Sequence, residues 1–196
     1  MSGDVSTVFR TEKTLSKVGR KPIQIPTGVT VSLDYTRLTV RGPQGTLDLD
    51  IHSEVVVNVL DGEIQVERKS SSKFHRSLHG LTRSLIANLI TGVSQGYEKI
   101  LELMGVGYRV QQTETGGIVL NVGFSHPVEI SAPEGVDLVV EGNNKIYVRG
   151  IDKQKVGHIA AVIRKVRPPN VYTGKGIRYA DENVRIKPGK SARRVV

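Results

Sequence analysis

The hydrophobic period changes twice along this chain, each time from two residues to about 3.6, and in the same order. "EIQVERKSSSKFHRSLHGLTRSLI" (63–86) can be laid over "KIYVRGIDKQKVGHIAAVIRKVR" (145–167) at one constant offset. Ile64 then falls on Ile146, Val66 on Val148, Lys73 on Lys155, Leu81 on Ile163 and Arg83 on Lys165. Alternation marks a half-buried strand, and spacings of three and four mark one face of a helix. Each half therefore reads as strands closed by one helix. The expected fold class is α+β, with two tandem similar domains, each a small, mainly antiparallel sheet packed with one helix. The join falls near Gly92–Glu98. This gives a flexible extension at 1–15, a first domain at 16–95, a second at 96–172 and a basic tail at 173–196.

Turn signals divide the strands. "IQIPTGVTVSL" alternates, and Gly42, Pro43 and Gly45 form a tight loop between two short runs. Asp61-Gly62 between β-rich segments is a strong hairpin signal. "ETGG" and Asn143-Asn144 are further turns. In the first helix the expected core face is Leu78, Leu81, Leu85, Leu89 and Val93, with Arg76, Arg83 and Asn88 off it. In the second, Asp152 is the expected N-cap and Val156, Ile159, Ala160, Ile163 and Val166 the core face. Pro168-Pro169 stops that helix, because proline has no amide proton and restricts its predecessor.

Composition narrows the function. The formal net charge is +9, which points to an anionic partner, nucleic acid first and membrane surface second. No cysteine is present, so disulfides, cysteine zinc sites and thiol nucleophiles are excluded. No apolar run approaches the roughly 18 residues of a membrane span, and Met1–Lys13 has no signal-type hydrophobic stretch. The charge is unevenly placed. Between Tyr97 and Val148 acids outnumber bases, whereas from Arg149 onward thirteen lysines and arginines face three acids. One face set against a polyanion produces such a division.

Catalytic motifs fail one by one. "GKS" at Gly189–Ser191 lacks the leading glycine of a phosphate loop, since Val184 stands there. "GVG" at Gly105–Gly107 has Val110 where a dinucleotide fingerprint needs glycine. His75 and His79 stand four apart on the first helix, but Arg76 replaces the glutamate of a zinc protease, and both read as surface or rim positions. No serine sits in a nucleophile elbow. Asp181 and Glu182 are adjacent, would face opposite ways in a strand, and read as local partners of Arg178 or Arg185. No catalytic residue, metal or cofactor is expected.

What is left is "PPNVYTGKGIRYADE", Pro168 to Glu182. Gly174 and Gly176 keep the chain slim around Lys175. Lys175 and Arg178 carry charge for phosphates, and Tyr172 or Tyr179 offers a ring to a base or ribose.

Four segments, "SKVGRKPIQIP", "HGLTRSLIANLITGVSQGYEKILELMGVGYR", "LNVGFSHPVEI" and "RPPNVYTGKGIRYADENVRIKPGKS", resemble large-subunit ribosomal protein six, a universal family of two tandem similar domains. The resemblance spans Ser16 to Ser191 and is bacterial or plastid in type. It implies a non-enzymatic structural constituent of the large ribosomal subunit. The implied ligand is large-subunit (23S-type) rRNA near the stalk base and sarcin–ricin loop, held chiefly by the second domain and tail. It implies rRNA contacts by Lys175, Gly176, Arg178, Lys187 and Lys190, with Gly174 shaping the loop; the Tyr179 ring and the cations Arg164, Lys165 and Arg167 of the basic segment before them complete the expected rRNA-binding set. Thr173 departs from the family's usual lysine. The implied partners are rRNA and neighbouring ribosomal proteins, with no membrane and no small-molecule substrate. The implied place is the cytoplasmic ribosome or, alternatively, that of the plastid stroma. A free-standing basic module for other RNA or anionic surfaces satisfies the same charge, and would show no preference for one rRNA site.

Overall fold

The structure, a computed structural model, describes residues 18–60 and 62–189. The expected extension at 1–15, Asp61 of the hairpin signal, and Lys190 with the last six residues lie outside the described residues. The chain divides after Gln95 into two compact units. Each is α+β, and every strand pair in both is antiparallel.

The first unit runs β1 (Ile23–Gln24), β2 (Thr30–Asp34), β3 (Arg37–Gly42), β4 (Gly45–Asp50), β5 (Val55–Leu60), β6 (Glu63–Arg68) and α1 (Lys73–Gln95). It holds two three-stranded sheets, ordered β1-β6-β5 and β2-β3-β4. The alternating run 23–33 is thus two strands, separated by a turn at 26–28 where Pro26 can donate no ladder bond. The second unit runs β7 (Tyr97–Met104), β8 (Arg109–Gln112), β9 (Ile118–Asn121), β10 (Val128–Ile130), β11 (Val136–Glu141), β12 (Lys145–Gly150), α2 (Lys153–Val166) and β13 (Gly176–Tyr179). Its sheets are ordered β11-β12-β7-β13 and β10-β9-β8.

The duplication is visible in this order. β5-β6-β1 answers to β11-β12-β7, and β2-β3-β4 to β8-β9-β10. Ile64 and Val66 of β6 are buried, as are Ile146 and Val148 of β12. β13 has no counterpart among the described residues of the first unit. It also corrects the expected start of the tail: Gly176–Tyr179 is not free chain but the fourth strand, paired with β7 from Gly176↔Met104 to Tyr179↔Leu101.

The helices divide differently. α2 buries Val156, Ala160 and Ile163 with Ile159 and Val166 packed beside them, and Asp152 caps it by accepting from the Gln154 amide at 2.8 Å. Both agree with the spacing argument. α1 does not. Its buried face is His79, Thr82, Ile86, Ile90 and Val93: Val93 is on the expected stripe, the other four stand one residue on from its leucines, Leu78 and Leu89 are only partly buried, and Leu81 is 54% exposed. One residue rotates a helical face by about 100°. The rotation follows from His79, whose Nε2 donates to the Val66 carbonyl at 2.8 Å, while Gly19 lies against the ring. His79 is therefore a buried residue and not the rim histidine expected. The constant offset holds for β6 and β12 and breaks before the helix: α1 begins five residues after β6 ends at Arg68, and α2 three residues after β12 ends at Gly150.

Each unit encloses its own core. Leu38, Val40, Ile64 and Ile86 are fully buried in the first; Leu101, Ile118, Ile146, Ile163 and Ile177 are fully buried in the second. Each such side chain contributes roughly 1.5–3 kcal/mol by leaving water. Ile177 places β13 inside the second core.

Candidate nucleic-acid interface

Three loops of the second unit meet beyond the end of α2. The helix stops at Val166, and Arg167 leaves it in an extended conformation ahead of Pro168-Pro169. Asn170 then folds the next turn around itself. Its Oδ1 accepts from the Tyr172 amide at 2.8 Å and the Thr173 amide at 3.2 Å, its carbonyl accepts from Gly174 and its own amide donates to Lys175. The Ile177 amide donates to the Arg167 carbonyl at 2.7 Å and the Lys187 amide to the Val171 carbonyl at 2.7 Å. The loop is held at both ends, and Lys175 stands exposed on it.

The β7–β8 loop brings Tyr108, whose ring lies 3.1 Å from where a β-carbon on Gly105 would stand and 3.4 Å from one on Gly123. Gly123 belongs to the β9–β10 loop, so this ring joins two loops by close backbone approach. Tyr108, Arg167, Pro168, Asn170, Thr173 and Lys175 line an open hollow of about 530 Å³. Beside it the β9–β10 loop exposes Phe124 and His126, with ring centroids 6.2 Å apart and planes within 21°. The Arg167 guanidinium stands 5.2 Å from the Phe124 centroid.

The expected rRNA-binding residues sort into two groups. Lys165, Arg167, Lys175 and Lys187 are exposed. The others are engaged inside the unit. Arg164 grips Glu182 with both arms of its fork, Nε at 2.8 Å and Nη2 at 2.5 Å. That hydrogen bond raises the Arg164 pKa and, foremost among several causes, lowers that of Glu182. Arg178 donates to Glu102 across the β13–β7 pair at 3.1 Å. The tyrosine ring of Tyr179 is half-buried between Lys99 at 5.7 Å and Arg164 at 5.8 Å. So the local pairing expected for Glu182 with Arg178 or Arg185 is replaced by pairing with Arg164, eighteen residues back. Glu182 and Asp181 do not lie in a strand: Asp181 sits in the turn after β13. Gly174 shapes the loop with φ +70°. Gly176 is buried, and its job is packing. Lys190 lies outside the described residues.

The first unit carries a second basic hollow, of about 610 Å³, which the sequence did not announce. Arg20, Arg68, Lys69, Ser70, Ser71 and His79 line it. Arg83 steadies its rim by donating to the carbonyls of Lys21 at 3.1 Å and Pro22 at 3.4 Å. Because Val66 accepts from His79 Nε2, that nitrogen carries the proton. Nδ1 has no hydrogen-bond partner among the described residues. The only signal in the sequence was the basic cluster on either side of three serines.

Among the described residues no group of three His, Asp or Glu could hold a metal ion. No helix there is long and apolar enough to cross a membrane. Two copies of one sheet-and-helix unit, with exposed cations and rings on anchored loops of the second, define a two-domain α+β protein. The match to known families is specific: the model described as ribosomal protein L6 fits residues 25–96 and again 104–180. The large ribosomal subunit protein uL6 of Caldicellulosiruptor bescii is 54% identical over 91% of this chain and 98% of its own length. Those of Halalkalibacterium halodurans and Listeria monocytogenes are 52% and 51% identical over 91% of this chain and 100% of theirs. The chain belongs to the ribosomal protein L6 family, a structural, non-enzymatic component of the ribosome.

Proposed function

We propose that this chain is a structural constituent of the large ribosomal subunit. It binds 23S-type rRNA near the stalk base and factor-binding region, beside neighbouring ribosomal proteins. The bacterial relatives favour the cytoplasmic ribosome as its place over that of a plastid. The observation that supports RNA binding is the convergence of three anchored loops that expose Arg167 and Lys175, with Lys187 following, next to exposed rings. Phosphate contacts from these cations set affinity, and the fixed loop shape sets which RNA surface is accepted. The basic hollow of the first unit, with Arg20, Arg68 and Lys69, offers a second phosphate-binding face. The chain from Asp181 to the end, with Lys190, serves as the basic tail.

The paired cations change the mutational test. Arg167→Glu with Lys175→Glu removes two exposed charges. It is expected to weaken binding to large-subunit rRNA and to flatten the slope of log affinity against log salt by about 1.4–1.8. Arg178→Glu instead sets two carboxylates together across β13 and β7, and is expected to act first on stability. Unchanged affinity and slope in the double variant would refute the assignment of this loop end. Separately, absence of the protein from salt-washed large subunits by mass spectrometry would count for a free-standing module.

A further inference from the structure

We propose that Phe124, with His126 and Arg167, forms a stacking platform for one unpaired base of the bound RNA, whose phosphate lies toward Lys175. This rests on the rRNA-binding reading and adds the kind of nucleotide that the site takes. Three observations carry it. Phe124 leaves 42% of its surface exposed on a loop although two side chains flank it; Phe74 is more exposed, at 56%, but meets His52 and His75 edge-on from a helix of the first unit. The Phe124 ring and the His126 imidazole are stacked within 21° of parallel, with centroids 6.2 Å apart, so a base can add to an aromatic stack that is already formed. Arg167 belongs to both features, standing 5.2 Å from the Phe124 centroid and forming a wall of the adjoining hollow with Lys175.

A ligand that satisfies both parts has a flat π-face and an anionic group a few ångströms away. A nucleotide has that form. Paired bases in an A-form helix are stacked on each other and hide their faces, so the platform selects a bulged, looped or single-stranded base. The tyrosines that the sequence offered for this work are less suited. Tyr179 is half-buried with Lys99 and Arg164 both within 6 Å of its ring, and Tyr172 is exposed but has no flanking ring among the described residues.

The test uses the full chain and two RNA probes: a hairpin with 2-aminopurine in its loop, and a perfect duplex carrying the same base. The parent is expected to quench the loop fluorophore and to bind the hairpin more tightly than the duplex. Phe124→Ala should lose the quench and weaken hairpin binding about 5- to 100-fold, leaving duplex binding within about twofold. Phe124→Tyr should restore both. If Phe124→Ala fails to fold, His126→Ala is read in its place, and a several-fold loss with reduced quench is expected. Hairpin binding and quench that survive these changes overturn the platform. They leave the rRNA reading intact provided the Arg167/Lys175 double variant still loses rRNA. A parent that binds neither probe nor stripped large-subunit rRNA overturns both. If Phe124→Ala binds every RNA normally but is lost from assembled particles, the surface serves a protein and the stacking assignment falls.

Discussion

Gly176 shows how one residue can be chosen for one reason and kept for another. Beside Lys175 it looks like part of a slim RNA-facing edge, yet it is buried at the start of β13. A β-carbon there would stand 2.6 Å from the Pro169 Cα and 2.7 Å from the Pro168 carbonyl oxygen, and its φ is +145°. Both facts exclude a side chain: the neighbours are backbone, and that dihedral belongs to glycine. Gly176→Ala is therefore expected to destabilise the second unit by about 2–4 kcal/mol in urea unfolding. A loss below about 0.5 kcal/mol would show that the strand can shift at no cost. Glu182 gives a second prediction at this scale. Its carboxyl is held below the usual range first by the Arg164 hydrogen bond, against burial, and then by the Tyr179 amide. A carboxyl lowered in the fold adds stability above its unfolded value, about 4.3, and loses it as pH falls through the folded value. Urea midpoints of Glu182→Gln should thus fall less steeply than the parent's below about pH 4.3; parallel curves would deny the pair this role. That Arg164 rather than Arg178 holds Glu182 could not be seen in the sequence. The choice depends on where β13 turns relative to α2, and Glu182 lies beyond both.

At the scale of elements, the sequence showed period well and phase unevenly. α2 was legible to the residue because its apolar stripe has no competitor and Asp152 caps it. α1 offers two candidate stripes, one of leucines and one holding His79, Thr82, Ile86 and Ile90, which meet at Val93. Hydrophobicity alone favours the leucines. The fold takes the other because His79 satisfies the Val66 carbonyl and fits under Gly19, a contact between residues far apart in the chain. The consequence is measurable. Ile86→Ala is expected to cost about 2–5 kcal/mol and Leu81→Ala less than about 0.5. Equal losses would restore the leucine face. β13 was hidden for a related reason. Four residues, Gly176–Tyr179, are too few to show a period, and their partner β7 lies more than seventy residues earlier. The platform ring escaped notice too, because a lone phenylalanine in "GFSHP" reads as core until its exposure is known.

On the scale of the molecule, duplication supplied two cores, and the second half then acquired what the first lacks. Its four-stranded sheet closes over a core running from Leu101 to Ile177, and every strand it pairs lies after Gly96. Among the described residues no hydrogen-bond ladder of the second unit borrows a strand from the first. The exposed cations of the loop end, Arg167, Lys175 and Lys187, belong to the same half. Folding and the larger share of phosphate contact should then be separable from the first unit. A fragment beginning at Gly96 and ending at Val196 is expected to unfold in one cooperative transition. Its urea dependence should be about half that of the whole chain, since that slope scales with the surface exposed. It should also keep most of the salt-sensitive affinity for large-subunit rRNA. What it gives up is the basic hollow around Arg20, Arg68 and Lys69, so its salt slope should be shallower than the parent's by the phosphates that this hollow holds. A fragment that folds but binds with the parent's full slope would assign every phosphate contact to the second unit. One that shows no cooperative transition would mean that the two cores depend on each other, despite sharing no strand.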